Sequence, residues 1–351
     1  MYENEGPVAT VLLDVGRASE SAEQEQELRV RGAREDLTRT GATDDVVEAV
    51  TERLAERVDA PGSAARIVVA GTGGVVFDEI AHQQVDQATV SWGPLPDLAP
   101  WLQLAERNFR FAVALVDHEG GQISVYNSDV PDPESETTAG GETYHVHKVP
   151  VGGWSQLRYQ HETEGVWKRN AEAVVADVES LVSQGIRLVL VAGDPRSAAE
   201  VLEGLDKSRA TVVHLESGGG RAEDGGDEAH QQAVREALME HSVARRMELV
   251  HRLKDRLGQD SGAATGVRDV AKAFVTGQVE TLLLDPDAAA AFELVTDDYP
   301  GLSLGAAVPP TEALRADQAL LAAAVRTSAE VSLLPQAAMG GAPVAALLRW
   351  S

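Results

Sequence analysis

The chain has 351 residues, and its 56 aspartates and glutamates against 30 lysines and arginines give a formal net charge of −26. A hydrophobic fraction of 43% with 25% charged residues is that of a folded globular protein, and no apolar run approaches the ~20 residues needed to span a bilayer. Cysteine is absent, which excludes disulfides, thiolate metal ligands and cysteine nucleophiles, and the surplus of carboxylates argues against a protein that coats nucleic acid.

At about 150 residues per domain the length fits two or three domains. Glu3, Glu5 and Asp14 come too early for a signal-peptide core, so a cytoplasmic protein is expected. The first segment, residues 1–108, reads as an α/β domain. Pro7 to Val15 is a buried strand, polar residues from Ser19 begin a helix that Gly41 ends, and Thr43 is placed to cap a second helix. In that helix Val46, Val47, Val50, Leu54 and Val58 recur three and four apart as a buried stripe. Ile67 to Phe77 reads as a β-hairpin; its glycines lack the following Lys-Ser/Thr of a phosphate loop, so a turn accounts for them. A proline-rich stretch, Pro94 to Pro100, leads to a short helix and a boundary near Asn108.

The second segment, residues 109–258, opens with strands Phe109 to Asp117 and Gln122 to Asn127 about a Gly120-Gly121 turn. Residues 128–142, SDVPDPESETTAGGE, read as an exposed loop. Tyr144 to Val149 alternates as a strand. Pro150 and Gly152-Gly153 follow, and the chain enters a long helix in which Trp167, Ala171, Val174, Val178 and Leu181 share one face. Adjacent glycines leave nothing projecting from a turn, so this loop suits insertion into a narrow space. Here Lys148, Arg158, Lys168 and Arg169 outnumber Glu162 and Glu164, in a chain with no lysine before Lys148. A negative body with one locally positive loop favours specific docking over coating.

Beyond the helix, Ile186 to Ala192 is a buried strand, Gly193-Asp194-Pro195-Arg196 turns into a helix through a capping or turn role for Asp194 and Arg196, and Ala210 to Leu215 is a further strand. This order indicates a partly parallel sheet. A long helix from Asp227 to Leu257 takes its stripe from Val243, Met247, Val250, Leu253 and Leu257. The third segment, residues 259–351, holds a helix at Val267 to Thr276, strands at Val279 to Leu284 and near Leu302 to Val308, a helix at Thr311 to Thr327, and strands at Glu330 to Leu334 and Val344 to Trp350. That pattern makes a compact α/β sandwich, and no internal repeat relates the three segments.

Three stretches together resemble the archaeal and eukaryotic peptide-chain release factor family with Pelota. Val151-Gly152-Gly153-Trp154-Ser155-Gln156 with Arg158 is similar to that family's glycine loop ending in Gly-Gly-Gln, and Leu188 to Pro195 is similar to the strand and turn of the same domain. Gly277 to Leu284 (GQVETLLL) resembles the strand that opens the family's third domain, and the ending resembles the bacterial branch that includes Balon-like hibernation factors. The resemblance implies three α/β domains, the middle one ribonuclease H-like and the last a compact sandwich. It implies a monomer without cofactor that enters the ribosomal A site in place of a tRNA and extends the loop toward the 23S rRNA of the peptidyl-transferase centre. It also implies a third domain that meets elongation factor Tu or another translational GTPase.

The departure from the family falls on Trp154, which stands where release requires a glutamine directly after the glycines, while Gln156 comes two residues later. Such a displacement exceeds the ~0.5 Å tolerance of a catalytic constellation unless the loop reshapes. The reading is therefore protection of idle ribosomes without hydrolysis, as in hibernation and stress. Trp154 either stacks on a base or packs on its own domain. The alternatives are a peptidyl-tRNA hydrolase using Gln156 and a stress-related interaction protein with no ribosome contact. His145, His147, Lys148, Lys168 and Arg169 are the candidate RNA contacts. His145, His147 and His161 would need Glu162 or Glu164 to complete a zinc site, and surface histidines beside the loop are the simpler reading, with no metal.

Overall fold

The structure is a computed structural model that describes residues 2–3, 6–16, 22–58, 63–85, 87–106, 109–128, 132–141, 154–215, 227–259, 261–305 and 313–350, the side chains of 22, 154–164 and 227–230 excepted. By internal contacts the chain forms two compact units, Met1–Arg107 with Arg246–Ser351, and Asn108–Arg245.

The first unit begins with β1 (Val8–Asp14), α1 (Ala22–Thr40), α2 (Asp44–Ala55), β2 (Ala65–Gly71), β3 (Gly74–Ala81), β4 (Thr89–Gly93) and α3 (Ala99–Ala105). Its sheet has the order β3-β2-β1-β4, and β2 and β3 form the antiparallel hairpin read from the sequence. Strand β1 is apolar at successive positions because both of its faces are covered. Ala9, Val11 and Leu13 meet Leu37, Val46, Val50 and Leu54 of α1 and α2. Val8 and Leu12 on the other face join a core with Phe274, Leu320 and Leu282 from the C-terminal segment. Thr43 is the N-cap of α2, but its side chain makes no capping bond. Arg66, buried in β2, is held by Asp78 through Nε at 2.7 Å, and Arg53 also reaches that carboxylate.

The second unit contains β5 (Arg110–Asp117), β6 (Gly120–Asn127), β7 (Ser135–Gly140), α4 (Trp154–Ser183), β8 (Leu188–Gly193), α5 (Pro195–Gly204), β9 (Thr211–His214) and the first part of α6 (Asp227–Gly258). The sheet order is β7-β6-β5-β8-β9, antiparallel among the first three strands and parallel from β5 through β8 to β9. Strand β7 lies within the stretch read as an exposed loop: its Ser-Glu-Thr-Thr start is exposed, so an edge strand carries no apolar signal. On one face Ala112, Ala114, Val189 and Val191 pack against Val174 and Val178 of α4 and Val201 of α5. On the other, Val113, Leu188 and Leu190 meet Ala237 of α6.

Within the first unit the C-terminal segment adds β10 (Ala263–Thr265), α7 (Val267–Val275), β11 (Val279–Leu284), α8 (Pro286–Ala289), β12 (Glu293–Val295), β13 (Ala313–Arg315), α9 (Ala316–Arg326), β14 (Glu330–Leu333) and β15 (Val344–Leu348). Its main sheet, β10-β15-β11-β14, carries α7 and α9 on the face that joins the shared core. Leu249, Val250 and Leu253 of α6 cover the other face at Leu283, Ala345 and Leu347. Residues 302–305 of the strand expected near Leu302 to Val308 are not extended in a sheet, and 306–308 lie outside the described residues. Gly305 in this stretch has φ +122 and sits so close to Tyr2 that a Cβ would fall 2.2 Å from the Tyr2 carbonyl oxygen.

Candidate functional site

Helix α4 is the element on which the sequence reading converges, and its residues show why it forms where it does. Two glycines precede it in sequence, Trp154 is its first helical residue, and no Gly or Pro other than Gly165 interrupts the run to Ser183. Gly185, at φ +107, follows its end. Ala171, Val174, Val178 and Val182 are buried against the sheet, and burial of side chains of this size at roughly 25 cal/mol per Å² holds the second half of the helix onto it. Trp167, read as part of that stripe, is only half-buried.

What Trp167 does instead is stack. Its ring lies 4.3 Å from the ring of His118, at an interplanar angle of 18°. His118 occupies the two-residue turn between β5 and β6, and three further contacts hold that turn. The Asn170 side chain, buried on α4, donates from Nδ2 to the His118 carbonyl oxygen at 3.1 Å. Glu119 donates its backbone N–H to Asp117 Oδ1 at 2.8 Å, and Gly141 donates to the Glu119 carbonyl at 2.7 Å. Gly120, at φ +136, permits the approach of β7: a Cβ there would stand 2.1 Å from the Ala139 carbonyl oxygen.

The end of β8 closes the cluster from the other side. Gly193, at φ +116, leaves space for the Val116 carbonyl, which accepts the Asp194 N–H at 2.8 Å. Asp194 is thereby set at the N-cap of α5, where its carboxylate accepts from the backbone N–H groups of Arg196 and Ser197. Those backbone bonds, the one from Ser197 foremost, hold its carboxyl below the usual range, and His118, with Nδ1 3.7 Å from Oδ1, adds to the effect. The capping role read for Asp194 is what the structure shows; Arg196 contributes its backbone N–H.

The remaining sequence-derived candidates divide by position. Trp154, Ser155, Gln156 and Arg158 lie in the first turns of α4, and His161, Glu162 and Glu164 lie further along it. The first N–H groups of any helix have no acceptor within it, so the backbone of Trp154 and Gln156 is free of intrahelical partners at the N–H. Lys168 and Arg169 are exposed on the same helix. His145, His147, Lys148, Val151, Gly152 and Gly153 lie outside the described residues. Among the described residues no group of three or more His, Asp and Glu side chains is placed to hold a metal ion. Sequence reasoning missed His118 and Asn170. The DHEGG turn offers no periodicity, and a single Asn within an amphipathic helix has no signature.

Comparison with known proteins gives one family. The model of bacterial archaeo-eukaryotic release factor family 2 matches residues 110–259. No curated protein matches the chain. Among solved structures, Archaeoglobus fulgidus Pelota matches at 15% identity and a TM-score of 0.32, covering 82% of this chain and 80% of that one. Dom34 of S. cerevisiae, described as a translation termination-like factor, matches at 10% identity and a TM-score of 0.43, with 82% and 80% coverage. A ribosome-bound archaeal Pelota with ABCE1 matches at 14% identity and a TM-score of 0.41, with 99% and 91% coverage. The stretch that carries α4, the His118 turn and the glycine loop is thus the stretch similar to bacterial archaeo-eukaryotic release factor family 2.

Proposed function

We propose that this chain is a ribosome-associated translation factor that enters the A site in place of a tRNA and protects idle ribosomes without hydrolysing peptidyl-tRNA. The observation that carries the reading is the match to a release factor family over residues 110–259, the stretch in which Gly152-Gly153 runs directly into α4 at Trp154. Charge supports it: between Tyr144 and Asn170, Lys148, Arg158, Lys168 and Arg169 outnumber Glu162 and Glu164 in a chain with net charge −26, so an RNA surface repels that stretch less than the chain as a whole.

Residue 154 decides between protection and hydrolysis. An ester carbonyl is activated by a donor aimed within a few tenths of an ångström of the developing oxyanion. Trp154 occupies the first helical position after the glycines, and Gln156 stands two residues on, roughly 3 Å further along the helix axis. An indole at the tip stacks on an exposed base, worth about 1–3 kcal/mol. A translational GTPase, elongation factor Tu among them, is the partner proposed for the C-terminal segment.

The test is paired. Wild type is expected to cosediment with ribosomes from stationary-phase cells, and Lys168→Glu/Arg169→Glu is expected to remain in the supernatant; an unbound wild type refutes ribosome association. Labelled peptide on stalled ribosomes is expected to stay attached in the presence of the protein. Release that disappears in Gln156→Ala would make the chain a hydrolase.

A further inference from the structure

The cluster of His118, Trp167, Asn170 and Asp194 sits at one particular place on α4. Trp154 begins the helix, and among its described side chains, from Gly165 onward, Val166, Asn170, Ala171, Val174, Val178 and Val182 are buried. The thirteen steps from Trp154 to Trp167 rise about 20 Å. A tilt of about 10° at Trp167 therefore moves the beginning of the helix by about 3.5 Å, several times the tolerance of a preorganised site. Whatever sets the direction of α4 at residues 166–170 sets where its start points.

The apolar contacts of Ala171, Val174 and Val178 hold the helix onto the sheet, but dispersion contacts are non-directional and permit small rolling and tilting. The contacts at residues 167 and 170 are directional. A ring stacked at 18° and an amide bonded to a carbonyl oxygen at 3.1 Å each fix an orientation. They fix it against the ends of two neighbouring parallel strands, since His118 follows β5 and Asp194 follows β8, and Asp194 is itself pinned by the cap of α5 and by Val116. A glycine that admits no side chain stands at each strand end, Gly120 opposite Asp117 of β5 and Gly193 closing β8.

We infer that His118, Trp167 and Asn170, backed by Asp194, are positioning residues that aim the N-terminal end of α4, and with it the tip that the proposed function sends to the peptidyl-transferase centre. They touch no ligand in this role; they act through the helix. The inference rests on the proposed function only for the destination of the tip, and the direction of the helix is measurable without ribosomes.

The chain has no cysteine, so Ser155→Cys with Lys207→Cys gives a clean nitroxide pair within the second unit, one label at the start of α4 and one on the exposed turn before β9. In the free full-length protein the electron–electron distance distribution is expected to be narrow. Adding Trp167→Ala or His118→Ala is expected to broaden it by several ångströms with the thermal transition retained, and Trp167→Phe, which keeps a ring on His118, is expected to restore it. Two alanine variants on opposite sides of the stack guard against one of them failing to fold. The unlabelled alanine variants are expected to pellet with ribosomes about tenfold more weakly than wild type, and the Phe variant to recover. A distribution as narrow in both alanine variants as in wild type overturns the inference, whatever the ribosome result. A wild type that does not pellet, together with a distribution that broadens as described, sinks the proposed function and leaves the aiming role standing.

Discussion

Helices α4 and α6 have almost the same length, 30 and 32 residues, and the same reading in sequence, a stripe of apolar residues three and four apart. Their surroundings differ. On α4 the stripe is buried: Val174 and Val178 are fully covered and Ala171 nearly so. On α6 Met239, Val243 and Met247 are 65%, 58% and 49% exposed, whereas Leu249, Val250 and Leu253 are buried. All positions from Val243 to Glu248 are exposed, and the division between the two compact units falls between Arg245 and Arg246. The helical period is thus evidence of a helix, while the packing partner decides which turns of it are core.

Substitutions graded along the two helices sharpen that contrast. The largest effect is expected from Val174→Asp on α4, which places a charge in the dry layer beneath the central sheet. Loss of more than about 4 kcal/mol and of the folded signal from residues 108–245 is expected in chemical denaturation. Leu253→Ala on the buried turn of α6 is expected to cost about 2–5 kcal/mol, and a smaller loss would mean that the site collapses around the gap. Asn170→Ala removes the bond to the His118 carbonyl, which water can then reach in its exposed turn, and is expected to cost about 0.5–1.5 kcal/mol.

His241 gives a pH handle on the first part of α6. Its ring packs on Phe109, with centroids 5.4 Å apart, and burial, with the Arg245 charge second, lowers its pKa. The folded state then binds fewer protons than the unfolded state over the window between the lowered pKa and about 6.5. Stability therefore rises with pH through that window and is lost as pH falls below about 6.5. His241→Phe is expected to flatten this limb of a stability profile measured by urea denaturation; an unchanged limb assigns it to another group. The smallest effect belongs to the exposed stripe, where Val243→Ala and Met247→Ala are each expected to change stability by no more than about 0.5 kcal/mol. A loss above 1–2 kcal/mol at either position would show that the stripe is packed in solution.

The same contrast explains how much was legible in the sequence. Val279 to Leu284 was readable as a strand to the residue, because an apolar run between a glycine and a proline has few other solutions. β1 was readable as buried, but nothing in Pro7 to Val15 says that its second face lies against Phe274 and Leu320, more than 250 residues away. β7 was hidden because Ser135 to Thr138 shows only polar side chains, exposed to solvent, and meets β6 through backbone pairing and the bonds of Glu136 to Gln122 and Ser124. Trp167 has helical spacing that fits a core position, and only the structure shows its ring lying on His118, which arrives from a turn 49 residues earlier. Local periodicity reports secondary structure, whereas the anchor is made by two loops and a helix that meet through the topology of the sheet.

The measurement that bears most directly on the proposed role is a reconstruction of the full chain on purified ribosomes. The account predicts the protein in the A site, with the start of α4 at Trp154 directed into the peptidyl-transferase centre and the His118–Trp167 stack intact behind it. Protein bound elsewhere, or an A site in which residues 154–158 face away from that centre, would contradict it.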